Sequence, residues 1–173
     1  MVKISEREDP VLRQTAAEVP VSEIKGARIQ KVISDMQKAL ATQDDGVAIC
    51  APQIGVSLRI FVVSGRVLAD INDKEPGSVP DKIFINPVIL KASKKTEWME
   101  EGCLSLRYLY GKVKRSSKVR VTAYDEKGKK FELGGAGLLA QIFQHEIDHC
   151  DGILFIDKAT DVVDIPPKPD DEN

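Results

Sequence analysis

Apolar residues recur along this chain with two distinct periods. Ile29, Val32, Ile33, Met36 and Leu40 return at three- and four-residue steps, which predicts an amphipathic helix over about 22–42. Ser22 is its expected N-cap, with Glu23 in the first turn, and Gln43-Asp44-Asp45-Gly46 ends it. Leu58–Val63 and Lys82–Leu90 are runs rich in Ile, Val and Phe and predict strands. Between them Asp73, Pro76, Gly77, Ser78 and Pro80 predict an exposed, mobile loop. Val119, Val121 and Ala123 then alternate with polar residues, and Asp125–Gly128 turns the chain into Phe131 and Leu133, a hairpin pattern. Gly134-Gly135 punctuates before a second helix from about Ala136 to His149. Its Leu138, Leu139, Ile142, Phe143 and Ile147 leave little polar face, so this helix is expected to run buried through the domain. Near the start, Asp9 precedes Pro10 and is held out of the helical region, so Asp9–Arg13 is expected to be extended or turned.

These elements predict an α+β fold, antiparallel sheets packed around a central buried helix that carries His-Glu-Ile-Asp-His. One domain is expected over 1–160, and residues 161–173, rich in Pro and Asp, are expected to form a disordered C-terminal tail. A length of 173 residues is enough for a core without staples. Lys+Arg is 25 against Asp+Glu 27, a near-balance with no polybasic run, which argues against direct nucleic-acid or membrane partners. No stretch reaches eighteen apolar residues, and the first fifteen mix charges of both signs, so neither a bilayer span nor a signal or transit peptide is expected. Three cysteines, an odd number, argue against a disulfide framework and for a reducing cytoplasm, with organellar or phage-encoded origins left open.

The chemistry gathers on the second helix. The chain has two histidines, His145 and His149, four residues apart. That spacing puts both imidazoles on one helix face, able to hold one metal, with Glu146 beside them within reach of a metal-bound water. A pair of core histidines is the plainer alternative, but both of the chain's histidines in this motif favour the metal. A third protein ligand is needed for a catalytic site with an open position. The metzincin pattern would place a His where Phe155 stands, although Gly152 matches its glycine. After His149 the sole glutamate is Glu172, in the acidic tail. Cysteine remains. On spacing alone Cys103, in Glu101-Gly102-Cys103-Leu104-Ser105, has the lead, while Cys50 and Cys150 read better as packing thiols.

Three segments together resemble the peptide deformylases: Gly46–Gly55, ending in Gln53-Ile54-Gly55, then Glu101–Ser105, then Gln144–His149, in order and at suitable separations. The resemblance covers roughly residues 5–158. It implies a metal held by Cys103, His145 and His149, one divalent ion per chain, Fe(II) with Zn, Ni or Co as substitutes. It implies hydrolysis of the N-formyl group from the formyl-methionine of nascent polypeptides, with release of formate. Glu146 is then the general base and acid, and the Gln53 amide and the Leu104 N–H stabilise the developing oxyanion. Gly46, Val47, Ala48, Leu138 and Ile142 match substrate positions of the family. Arg115 stands where the family places a buried arginine and is an expected partner of Asp148, and Glu101 is expected to orient the Cys103 loop. The expected partner is a formylated nascent chain at the ribosome, met by a monomer.

The chain departs from the family pattern at several places. Ala48 replaces a glycine, Cys50 an alanine, and Leu106-Arg107-Tyr108 stands where a proline is usual. Gln141 occupies a pocket-side position that is more often apolar, and the chain ends in acidic, Pro-rich residues instead of a long helix. Two other functions share the motif. One is a different metal amidase or peptidase, which would need no Cys103. The other is a metal-binding homologue without turnover, in which Glu146 would have no use.

Overall fold

Strand β2 (Ile60–Val63) is buried on both sides, and its alternation sorts the core. The computed structural model describes residues 2–166. Phe61 and Val63 face one apolar cluster with Phe84 and the helix residues Leu139, Ala140, Phe143 and Ile147. Ile60 and Val62 face a second cluster with Ile29, Ile33, Met36 and Leu40. A continuous apolar run is what a strand covered on both faces requires. The helix of the first cluster is α3 (Leu138–Cys150), and that of the second is α1 (Ala27–Ala41). A short helix, α2 (Gly65–Ile71), lies between them in the chain.

Among the described residues the named strands form two antiparallel sheets. The larger orders β1 (Ala48–Cys50), β2, β3 (Lys82–Ala92), β6 (Lys118–Tyr124) and β7 (Lys130–Ala136) side by side. The smaller orders β4 (Thr96–Gly102), β5 (Leu109–Ser116) and β8 (Thr160–Asp164). Helix α3 touches strands of both sheets. Phe61 and Phe84 stack with ring centroids 4.4 Å apart, and the Phe143 ring meets Phe84 edge-on at 5.4 Å. These rings fix the depth at which α3 sits on the larger sheet.

Several expectations change. Helix α1 starts at Ala27 and its N-cap is Gly26; Ser22 lies in a separate 3-10 turn, Val21–Glu23. Gly134 and Gly135 do not end a strand but belong to β7. A Cβ on Gly135 would stand 2.9 Å from Leu139 Cγ and 3.0 Å from Phe143 Cε2, so the glycine is what lets α3 lie against this strand. Gly137, at φ 54°, makes the turn into α3 in the left-handed region that favours glycine. The tail boundary at 161 falls inside β8: Leu109 pairs with Asp164 and Tyr110 with Val163, so this stretch closes an edge of the smaller sheet. Residues 167–173 of the expected tail lie outside the described residues. The opening segment agrees with expectation: Asp9 is extended and caps a 3-10 turn over Pro10–Arg13, its carboxylate accepting from Val11 N at 3.1 Å. No helix among the described residues is long and apolar enough to cross a membrane.

Candidate metal centre

Helical periodicity brings His145 and His149 together on α3, with ring centroids 4.9 Å apart. The loop leaving β4 carries Cys103 to them, and its Sγ lies 3.2 Å from His149 Nε2. The ligand atoms of Cys103, His145 and His149 all lie within 4.8 Å of one another. Burial alone would push the Cys103 thiol up, but His149 and His145 outweigh it and hold the thiol at about 5. For His145, burial favours the neutral ring, yet Cys103 and Glu101 raise its pKa well above the ordinary value. A sulfur that ionises readily, flanked by two imidazoles, is the donor set of a borderline-soft divalent cation.

Glu146 is buried beside these ligands, 3% exposed, and its Oε2 has no hydrogen-bond partner among the described residues. Such an orphaned oxygen is expensive unless something outside the chain uses it. Burial raises its pKa, more than the two histidines lower it. A carboxyl group with a raised pKa beside residues that could hold a cation is able to take up a proton. The residues present fit a metal centre of the hydrolytic kind.

Glu101 supports the site from below. Its Oε2 lies 2.9 Å from His145 Nδ1, and Arg115 donates to both carboxylate oxygens, at 2.7 and 2.9 Å. Burial would raise the Glu101 pKa, but Arg115 and His145 hold it at about 2. A carboxylate at Nδ1 puts the ring proton there and turns Nε2 toward the ligand cluster. Arg115 also donates to Asp148 at 2.6 Å, and Lys158 meets the other Asp148 oxygen at 2.7 Å. Glu101 therefore orients the His145 ring as well as preceding the Cys103 loop, a role its position in the sequence does not reveal.

Gln53 sits in the 3-10 turn Ala51–Ile54. Its Oε1 accepts from Cys50 N at 2.8 Å, which leaves Nε2 to face Ser105 Oγ at 3.3 Å and Cys103 Sγ at 3.5 Å. Ser105 thus helps aim this amide, a role the sequence reasoning missed. The N–H of Leu104 has no protein acceptor among the described residues. Both donors border a cavity of about 370 Å³. Gly46, Val47 and Ala48 line it from the β1 side, and Leu138 and Ile142 from α3. Cys103, His145 and Glu146 line it too, while His149 lies deeper, 1% exposed. Cys50 and Cys150 pack together with sulfurs 3.3 Å apart in the apolar cluster between α3 and the larger sheet, neither of them lining the cavity, and burial pushes the Cys50 thiol well above its ordinary pKa. At the mouth, Arg107 bonds Asp45 at 2.8 Å and also meets the Gln43 side chain.

An α+β fold whose buried helix presents two histidines and a free glutamate to a cysteine loop defines a class, the proteins with a His-Glu-His metal site. The family model described as polypeptide deformylase matches residues 1–164, and this chain belongs to that family. It is 41% identical over 157 residues to peptide deformylase 1A, chloroplastic/mitochondrial, of Arabidopsis thaliana, covering 87% of this chain and 58% of that one. The chain thus spans less than two thirds of the plant relative. It is 39% identical over 157 residues to peptide deformylase 2 of Clostridium acetobutylicum, covering 90% of this chain and 93% of that one. A peptide deformylase structure from Thermotoga maritima superposes with a TM-score of 0.79 at 34% identity, covering 92% of this chain and 98% of that one.

Proposed function

We propose that this protein removes the N-formyl group from the N-terminal formyl-methionine of nascent polypeptides and releases formate. The observation that carries the proposal is the orphaned Oε2 of Glu146 beside the Cys103, His145 and His149 cluster, in a chain of the polypeptide deformylase family. The proposed metal is Fe(II), with Zn, Ni or Co as substitutes, because imidazole and thiolate ligands suit all of them. When bound, a divalent cation supplies Lewis-acid polarisation and makes water acidic enough to attack near neutral pH.

The chain's own residues do the rest. Glu146 takes a proton from water at Oε2 and returns it to the leaving amine, a transfer that its raised pKa favours. As the formyl carbon becomes tetrahedral, negative charge grows on its oxygen. Gln53 Nε2 and the Leu104 N–H are the donors that receive it, and Cys50 N and Ser105 hold the Gln53 amide in place beforehand. Val47, Leu138 and Ile142 form the apolar walls for the methionine side chain, and Gly46 and Ala48 run beside the peptide. The three cysteines are free thiols, in keeping with the cytoplasm as compartment. A monomer acting on chains at the ribosome completes the proposal.

Formate release from formyl-Met peptides by anaerobically prepared, iron-loaded protein tests it. Release that disappears in Glu146→Ala, with metal content retained, is the expected result. No release above that variant would overturn the proposal.

A further inference from the structure

Leu138, Gln141, Ile142, His145 and Glu146 make up the α3 wall of the cavity. Their spacing places them on one stripe of the helix. His145 and Glu146 serve the metal centre, and Leu138 and Ile142 are apolar walls. Gln141 fits neither role. It stands between the two apolar walls and one helical turn before His145, where the side chain of the formylated residue would lie.

One end of the Gln141 amide has a partner. Its Nε2 donates to the backbone oxygen of Glu100 in β4 at 2.7 Å. No donor among the described residues bonds its Oε1, and the residue lines the cavity, so this acceptor is left for water or a bound group. A purely apolar side chain that fills this space covers the acceptor and leaves it without water or partner. A side chain with an N–H donor of similar length replaces the water it removes. Gln141 is half-buried and its bond to Glu100 is open to solvent, so the cost arises only when a bound side chain covers the acceptor without pairing it.

We propose that Gln141 is a specificity-determining residue of the side-chain subsite, which narrows the preference for methionine and admits unbranched side chains ending in a hydrogen-bond donor. Glutamine, close to methionine in length, is the simplest such side chain. The inference rests on the deformylase reading above and adds the chemistry of the residue accepted next to the formyl group.

The test compares kcat/KM for formyl-Met-Ala-Ser and formyl-Gln-Ala-Ser in the iron-loaded wild type and in Gln141→Leu and Gln141→Met. Both substrates are read on one preparation, so the active fraction cancels and a partly unfolded variant still reports the ratio. The methionine-to-glutamine ratio is expected to rise about tenfold or more in both variants. Calorimetric Kd values of Met-Ala-Ser and Gln-Ala-Ser with metal-free protein read the same preference without turnover, and their ratio is expected to move in the same direction. Turnover of formyl-Met-Ala-Ser with an unmoved ratio in both variants overturns the role of Gln141 and leaves the deformylase reading standing. No formate from either peptide in the wild type overturns that reading as well.

Discussion

Glu101 meets His145 at Nδ1, 2.9 Å away, with the same carboxylate that Arg115 holds by two bonds. Glu101 lies on β4, Arg115 on β5 and His145 on α3, so one buried carboxylate ties both strands to that helix. Asp148, one turn further along α3, closes the cluster through Arg115. The orientation of the His145 ring and the docking of the smaller sheet on α3 thus depend on the same side chain.

Replacing Glu101 should therefore harm both. Glu101→Ala frees the His145 ring and leaves Arg115 buried with Asp148 as its remaining partner. Metal affinity is expected to fall about 10- to 100-fold, read by competition with a chelator. Unfolding free energy of the metal-free protein is expected to fall by roughly 3–5 kcal/mol in urea, as when a buried ion pair loses one member. Wild-type metal affinity in a folded variant would show that His145 needs no such support.

The same carboxylate sets an acid limit. Arg115 and His145 hold it at about 2, below its ordinary 4.5. A depressed acid pKa contributes stability that is complete above the unfolded value and is lost as pH falls through the folded one. In that window the unfolded chain binds the extra proton. The gap corresponds to something on the order of 3 kcal/mol. Urea midpoints of the metal-free wild type are expected to drop as pH falls from 4.5 towards 2, and Glu101→Gln is expected to lose much of that slope. Parallel curves for the two proteins would contradict the assignment.

The elements built on side-chain period were legible from the sequence. The β6–β7 hairpin and α3 stand close to where alternation and helical spacing put them. Strands β4 and β5 were not, and their inward positions show why. They are held by Glu101, Gly111, Val113 and Arg115, so an ion pair and a glycine occupy sites where an apolar signal would normally appear. Helix α2 is seven residues long and begins at Gly65, too short and too weakly marked for its period to register. Of the site, His145, His149 and Glu146 follow from spacing on one helix. Cys103 did not follow from spacing, because it reaches the helix through a loop, and a contact across 46 residues leaves no local pattern.

Gln53 should matter for turnover more than for binding. Its Nε2 faces the Cys103 loop because Cys50 N and Ser105 fix the amide. A donor aimed at charge that exists only in the transition state contributes little to ground-state affinity. Gln53→Leu is expected to lower kcat about 10²- to 10³-fold with a small change in KM. A rise in KM at unchanged kcat would make Gln53 a substrate-binding residue instead.

Gly135 tests the packing of α3. A methyl group there would press on Leu139 Cγ at 2.9 Å, Phe143 Cε2 at 3.0 Å and Ala140 N at 3.2 Å. Two of these neighbours are side chains that can shift slightly, but the third is helix backbone. Gly135→Ala is expected to destabilise by roughly 1–3 kcal/mol, the range for overpacked sites, measured in urea. Gly134→Ala, where a Cβ meets nothing within 4 Å, serves as the control and is expected to leave stability nearly unchanged. Equal losses in the two variants would place the cost in the strand backbone and not against α3.

Cys103 can be told from the other two thiols by its reactivity. Burial opposes its ionisation, but His149 and His145 hold it at about 5, and it lies partly exposed in the cavity wall. Cys50 and Cys150 are fully buried, and burial pushes the Cys50 thiol far up. Only the thiolate attacks an alkylating agent. Iodoacetamide at neutral pH is therefore expected to modify Cys103 first in the folded, metal-free protein, as read by peptide mass spectrometry. Its rate should hold nearly level down to about pH 6 and fall as pH passes through about 5. Loading with zinc occupies the same sulfur and is expected to suppress the labelling. Early labelling of Cys50 or Cys150, or a Cys103 rate indifferent to zinc, would remove Cys103 from the ligand set.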